Sequence, residues 1–257
     1  MRSLRAWLDA SPLSTLALDL VREATGHPQP LEAIRPQRPA ALPSGRRIAF
    51  WSLVGGVGGS TLAALVAHRS AGAGRPPLLV DLDRWAPSLA LRAGLQGASV
   101  ADALLRPGRE RECVSRWRDV PFLPAAPGLA SVFEGVRIVA LLERAGGDGP
   151  VVIDLGTGPD ALDALVLGSL DRLCVVVGHR AAQLQAAFCA IPLLRDVTCP
   201  VGLVTVGVSA DDADRIGSRL PWPHLAAIPF DAYLANDEFA ARAPTMAAVD
   251  RLIRACT

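Results

Sequence analysis

Short, continuous apolar runs recur along this chain, each followed by a stretch whose apolar residues repeat at helical spacing. The runs predict strands over residues 47–54, 77–83, 120–126, 151–155, 172–177, 201–206 and 225–229. Between them, the spacing predicts helices from Ser60 onward and over 88–95, 100–105, 132–145, 160–170, 181–195 and 245–256. An unbroken apolar run, as opposed to strict alternation, marks a strand covered on both faces. Such strands alternating with helices imply an α/β fold: a doubly wound, mostly parallel sheet flanked by helices, with ligands at the carboxyl ends of its strands.

Residues 1–44 have a different pattern. Leu4, Trp7 and Leu8 are helically spaced, as are Leu13, Leu16, Leu20 and Val21, and Pro28, Pro30, Pro36, Pro39 and Pro43 then mark an extended linker. The expected organisation is an N-terminal helical arm with a Pro-rich linker over 1–44, and one α/β domain over 45–257. The arm either docks on a partner, is what remains of a larger N-terminal domain, or packs on its own domain.

Composition narrows the function classes. The 257 residues are 51% hydrophobic with a net charge of +1. That balance gives no electrostatic case for binding nucleic acid or a membrane surface. No run reaches membrane-spanning length, so no direct membrane segment is expected. The five cysteines have no paired spacing and suggest reduced thiols in a cytoplasmic protein. The chain contains no lysine; all 26 basic residues are arginine.

The candidate chemistry lies between the first strand and the first helix. Gly55-Gly56-Val57-Gly58-Gly59 joins them, and Ser60 and Thr61 open the helix. A glycine loop there lets backbone N–H groups converge on an anion, with the helix dipole favouring the same charge. Two carboxylates, Asp81 and Asp83, end the second strand, and Asp154 lies late in another apolar run.

The stretch Val54-Gly55-Gly56-Val57-Gly58-Gly59-Ser60-Thr61 resembles the deviant Walker A loop of the ParA/MinD family, K-G-G-x-G-K-[ST]-T. The shared glycines and the Ser-Thr pair are present, but Val54 and Gly59 stand where the family has its two lysines. Compositional drift toward arginine does not account for this, because the replacements are valine and glycine. Three further segments resemble the family in the same order: the D-x-D strand ending Asp81-Leu82-Asp83, the Walker B strand ending at Asp154, and Ile228-Pro229-Phe230-Asp231. The resemblance implies nucleotide binding by Gly55, Gly56, Val57, Gly58, Gly59, Ser60 and Thr61. It also implies a Mg²⁺ site at Ser60, Asp81 and Asp154, and a water-positioning role for Asp83. Val206 and Gly207 stand where the family's adenine-reading asparagine belongs.

With both cations absent, ATP or ADP binding with Mg²⁺ is expected to be weakened or lost, and efficient ATP hydrolysis is not expected. Arg84 is the candidate to replace a lysine; Arg46 and Arg47 lie at the wrong end of the strand. Loss of loop lysines looks most like the TadZ/CpaE-like and septum-site-like branches. That likeness implies a homodimeric pseudo-ATPase scaffold that binds protein partners of a Flp-pilus or secretion apparatus and is recruited through them to a pole or septum. The alternative is a slow ATPase with arginine in place of the missing lysines.

Overall fold

The computed structural model describes residues 39–74, 76–126, 128–235 and 241–257. The arm expected over residues 1–44 therefore lies, up to residue 38, outside the described residues.

Eight strands form one sheet. They are β1 (Arg47–Ser52), β2 (Leu78–Asp81), β3 (Ser115–Trp117), β4 (Val120–Leu123), β5 (Val151–Thr157), β6 (Arg172–Gly178), β7 (Val201–Val206) and β8 (His224–Ile228). Their order is β3-β4-β2-β5-β1-β6-β7-β8. Every neighbouring pair is parallel except β3 with β4, which are antiparallel. The expected doubly wound, mostly parallel architecture is what forms.

The helices that matter for the site are α1 (Gly59–Ala71), α2 (Leu89–Ala93) and α3 (Val100–Leu104). Further along come α4 (Leu129–Val132), α5 (Gly135–Gly146), α6 (Ala164–Gly168) and α7 (Ala181–Leu193). The chain ends with α8 (Ala210–Gly217), α9 (Ala232–Ala235) and α10 (Ala243–Ala255).

The continuous apolar runs are explained by two cores, one on each face of the sheet. In β1, Ala49 and Trp51 enter one core while Ile48 and Phe50 enter the other, and all four are fully buried. Successive strand residues point to opposite faces, so a strand covered on both sides must be apolar throughout. The second core packs β1 against α1 and α10, and Leu42 from the segment preceding β1 is buried in it.

A buried ion pair ties these two helices together. Asp250 of α10 is fully buried and accepts from Arg69 Nε at 2.8 Å and from the guanidinium's terminal nitrogen at 2.7 Å. Its Oδ1 also accepts the Ala40 N–H at 3.1 Å. The same carboxylate thus holds α1, α10 and the segment preceding β1.

Two expected elements form differently. The helix expected over 132–145 forms as α5 but starts only at Gly135, because Phe133 is extended and Glu134 is the N-cap, and Val132 instead ends the preceding short helix α4. The helix expected over 160–170 begins as a short 3₁₀ turn at Pro159–Ala161 and becomes helical only at Ala164, after Asp163 caps it. Asp163 Oδ1 accepts from the Leu165 and Val166 N–H groups at 2.9 and 3.0 Å.

Candidate functional site

The glycine loop stays open. β1 ends at Ser52, and the chain crosses to α1 through Gly56 at φ +74° and Gly58 at φ +92°. Both values lie in the left-handed region, where a side chain is strained. Gly58 is the N-cap of α1, and the first i→i−4 bond of the helix runs from Leu62 N–H to Gly58 O at 2.9 Å. The amides of Gly59, Ser60 and Thr61 precede that bond, so the helix supplies them with no acceptor. No acidic residue occupies the first turn. A ready anion site results: directed N–H groups at the positive end of a 13-residue helix.

A cavity of about 330 Å³ sits over this turn. Ser52, Gly56 to Thr61, Ser88, Arg92, Gly156, Thr157 and Leu234 line it. Gly59 leaves space: a Cβ built there would meet its nearest neighbour, Ser52 Oγ, only at 3.9 Å. The loop therefore has physical room for the lysine it lacks. Val57 is buried, whereas Gly55 and Gly56 are exposed.

A second cavity, also about 330 Å³, adjoins the first and shares Gly56, Val57, Gly58 and Thr61 with it. It lies at the carboxyl ends of β6, β7 and β8, between Gly178 to Arg180, Val206 to Gly207, and Ile228 to Asp231. The strand-end location is the one a doubly wound sheet dictates. The segment Ile228-Pro229-Phe230-Asp231 lines it as expected, but the carboxylate of Asp231 serves the fold. Its Oδ2 accepts from Arg242 N–H at 2.7 Å and Thr245 Oγ1 at 2.8 Å, holding the start of α10. Val206 and Gly207 offer no amide side chain to a base. Gln183 lines the same cavity and is the amide that sequence reasoning missed. Its Oε1 accepts the Arg180 N–H at 3.2 Å.

The carboxylates Asp81, Asp83 and Asp154 are brought together beneath the loop. Asp81 and Asp154 are register partners on β2 and β5, and both are buried. Asp83 packs over Gly156, where a Cβ would meet its Cγ at 2.6 Å; Gly156 also has φ +73°. Only glycine lets the chain pass there. Asp83 Oδ1 accepts the N–H groups of Trp85 and Ala86, both at 2.9 Å, so that oxygen shapes its own turn.

Burial, more than any other cause, pushes the Asp154 carboxyl up to about 6, against the hydroxyl of Ser60 and the Gly156 N–H, which favour the charged form. Asp81 is raised well above the usual carboxylate range, first by burial and then by the Asp154 charge. One of its oxygens accepts the Asp83 N–H at 3.0 Å; the other, Oδ2, is buried without a hydrogen-bond partner.

Among the described residues, no group of three or more His, Cys, Asp or Glu side chains is arranged as a metal cage. Mg²⁺ does not require one, since it keeps waters and phosphate oxygens among its ligands. The Ser60 hydroxyl beside Asp154, with the orphaned Asp81 oxygen close by, fits one hard cation of that kind. Bound there, the ion would neutralise phosphate charge.

The orphaned oxygen makes a measurable prediction. Asp81→Asn keeps the acceptor for Asp83 N–H, removes a buried charge, and gives Asp154 a donor. A hydrogen bond to a charged group contributes about 1.5–3 kcal/mol. Thermal unfolding at pH 8 should show the variant more stable than the natural chain. A group whose folded pKa is raised destabilises the fold as pH climbs through the interval between its unfolded and folded values. The advantage of the variant should therefore be full where Asp81 is charged and shrink as pH falls through its raised folded value toward the unfolded value near 4.

The structure also reassigns the arginines. Arg84 does not line the loop cavity; its guanidinium lies 3.4 Å from the centre of the Phe133 ring. Arg46 pairs with Asp171 at 3.6 Å and donates to Cys256 O, at the opposite strand end. The charged side chain lining the loop cavity, among the described residues, is Arg92 of α2. No motif in the sequence marked it.

A mostly parallel sheet with an open glycine loop between its first strand and helix defines an α/β protein of the doubly wound kind, whose ligand positions lie at the carboxyl ends of the strands. No protein-family model matches the sequence, and no curated protein matches it. Solved structures do match in fold. A ParA family ATPase from Chlorobium tepidum superposes with a TM-score of 0.71 at 20% identity, covering 83% of this chain and 98% of that one. MinD from the MinC:MinD cell division complex of Aquifex aeolicus gives 0.67 at 19%, covering 81% and 94%. The septum site-determining protein MinD of Pyrococcus horikoshii, solved with Mg-ADP, gives 0.67 at 19%, also covering 81% and 94%. The chain has the ParA/MinD ATPase fold. Among the described residues, no helix is long and apolar enough to cross a membrane.

Proposed function

We propose that this chain is a ParA/MinD-like pseudo-ATPase: a scaffold that binds a nucleotide weakly and hydrolyses it slowly or not at all. The observation that carries the reading is the open loop at residues 55–61, with its left-handed glycines in place and no side chain at Gly59. Main-chain amides suffice to hold a phosphate. Turnover needs more, since a cation at the transferring phosphoryl group is worth about 10³–10⁵ in rate in related chemistry. The Mg-ADP held by the Pyrococcus horikoshii protein supports the choice of ligand.

The scaffold part of the proposal places the chain in a pilus or secretion apparatus of the TadZ/CpaE-like kind, as a homodimer recruited to a pole or septum by protein partners. The partner complex of the Aquifex aeolicus MinD lends support to docking on this fold. A phosphate-release assay with Mg-ATP tests the reading. Turnover by the natural chain should lie at background and below that of a Gly59→Lys variant; a natural chain that exceeds the variant contradicts it.

A second reading, a slow ATPase, is favoured by the presence of Arg92 in the loop cavity. It requires turnover in the natural chain that disappears in Arg92→Ala.

A further inference from the structure

Two facts about the loop cavity do not fit a site merely stripped of its charge. The position that would carry the phosphate lysine is glycine, with open space around it. A different cation nevertheless reaches the same cavity from outside the loop. Arg92 Nη1 donates to Thr61 Oγ1 at 2.5 Å. Thr61 belongs to the first turn of α1, the turn whose amides face the cavity.

The support beneath Arg92 is local and firm. Leu89, the first residue of α2, is fully buried in the core that contains α1. The Arg92 N–H bonds to Ser88 O at 3.1 Å, and Gly94 closes the helix at φ +64°. The short helix thus presents its arginine to the mouth of α1 from a fixed base.

We propose that Arg92 is the phosphate-binding cation of this site, supplied by α2 in place of the loop lysine. The inference rests on the nucleotide reading given above and deepens it by naming the side chain that meets the anion. Arginine suits the position. Its planar fork can grip two phosphate oxygens at once. The ligand class follows: a nucleoside di- or triphosphate whose phosphates lie between the loop amides and the guanidinium. In a chain without lysine, an arginine placed one helix away reaches this cavity, while the loop itself carries no charged side chain. The cation is then carried by a separate element, so phosphate occupancy and the position of α2 are linked.

The test is calorimetric titration of the full chain with ADP, with and without Mg²⁺. Arg92→Ala should weaken ADP at least tenfold in a variant that still unfolds cooperatively. Arg92→Lys should retain part of the affinity. Adding Gly59→Lys to Arg92→Ala should restore binding, since either cation then serves the same phosphates. If the natural chain binds ADP and Arg92→Ala binds within twofold of it, Arg92 is not the phosphate ligand and the nucleotide reading stands without it. A folded double variant that does not regain affinity also overturns the replacement of one cation by the other. If the natural chain binds neither ADP nor ATP, the nucleotide reading itself falls, and this inference with it.

Discussion

Asp250→Ala should unfold the protein at a temperature well below that of the natural chain. The carboxylate is fully buried, grips Arg69 through both oxygens and also takes the Ala40 N–H. Removing one member of a buried pair leaves the other charge uncompensated, at a cost of about 3–5 kcal/mol. For a domain of this size, each kcal/mol lowers the melting temperature by about 2–4 °C. A drop of roughly 6–20 °C is therefore expected by calorimetry. The pH dependence follows from the same contacts. Burial alone would raise this carboxyl, but the bonds from Arg69 and Ala40 outweigh it and hold it below the usual range. A depressed folded pKa gives stability that is present above the unfolded value near 4 and is lost as pH falls through the folded value. The gap between natural chain and variant should be full at pH 6 and close in acid. A gap that persists unchanged in strong acid would refute the ion-pair account.

Gly59→Lys should raise nucleotide affinity and turnover together. A Cβ at this position meets nothing closer than 3.9 Å, and Gly59 lies within α1, so no left-handed backbone strain opposes the change. One charge-assisted bond to phosphate contributes about 1.5–3 kcal/mol, equivalent to roughly tenfold to hundredfold in affinity. ATP titration of the variant should show that gain, and phosphate release should rise above the natural background. An unchanged affinity in a folded variant would mean that the phosphates do not sit at the start of α1.

Much of this architecture was readable because its physics is local. A strand buried on both faces must be apolar throughout, and the runs around Ile48, Leu79, Val152, Val175 and Leu203 say so directly. The glycine loop was equally legible, since a backbone turning through φ > 0 between a strand and a helix leaves glycine as its trace. The antiparallel hairpin of β3 and β4 was half missed. β3 is only three residues long and reads Ser-Arg-Trp, too short and polar to register as a strand. Helix α8 was missed although its signal was present: Ser209 accepts from Asp212 N–H at 3.2 Å and donates to the Asp212 carboxylate, the capping pattern that opens a helix. Arg92 could not have been found that way. Its role depends on α2 being placed against Thr61, 31 positions earlier, and no local pattern encodes that approach. Arg84 illustrates the converse. It is adjacent in sequence to Asp83, yet it lies against Phe133.

The central claim is that the main-chain amides at the start of α1 hold a phosphate without a loop lysine. Hydrogen exchange at residues 56–61, measured on the natural chain with and without saturating Mg-ATP, addresses those amides directly. The account predicts slower exchange there on adding nucleotide, with the Asp250–Arg69 contact region unaffected. Identical exchange at residues 56–61 in both conditions would contradict it.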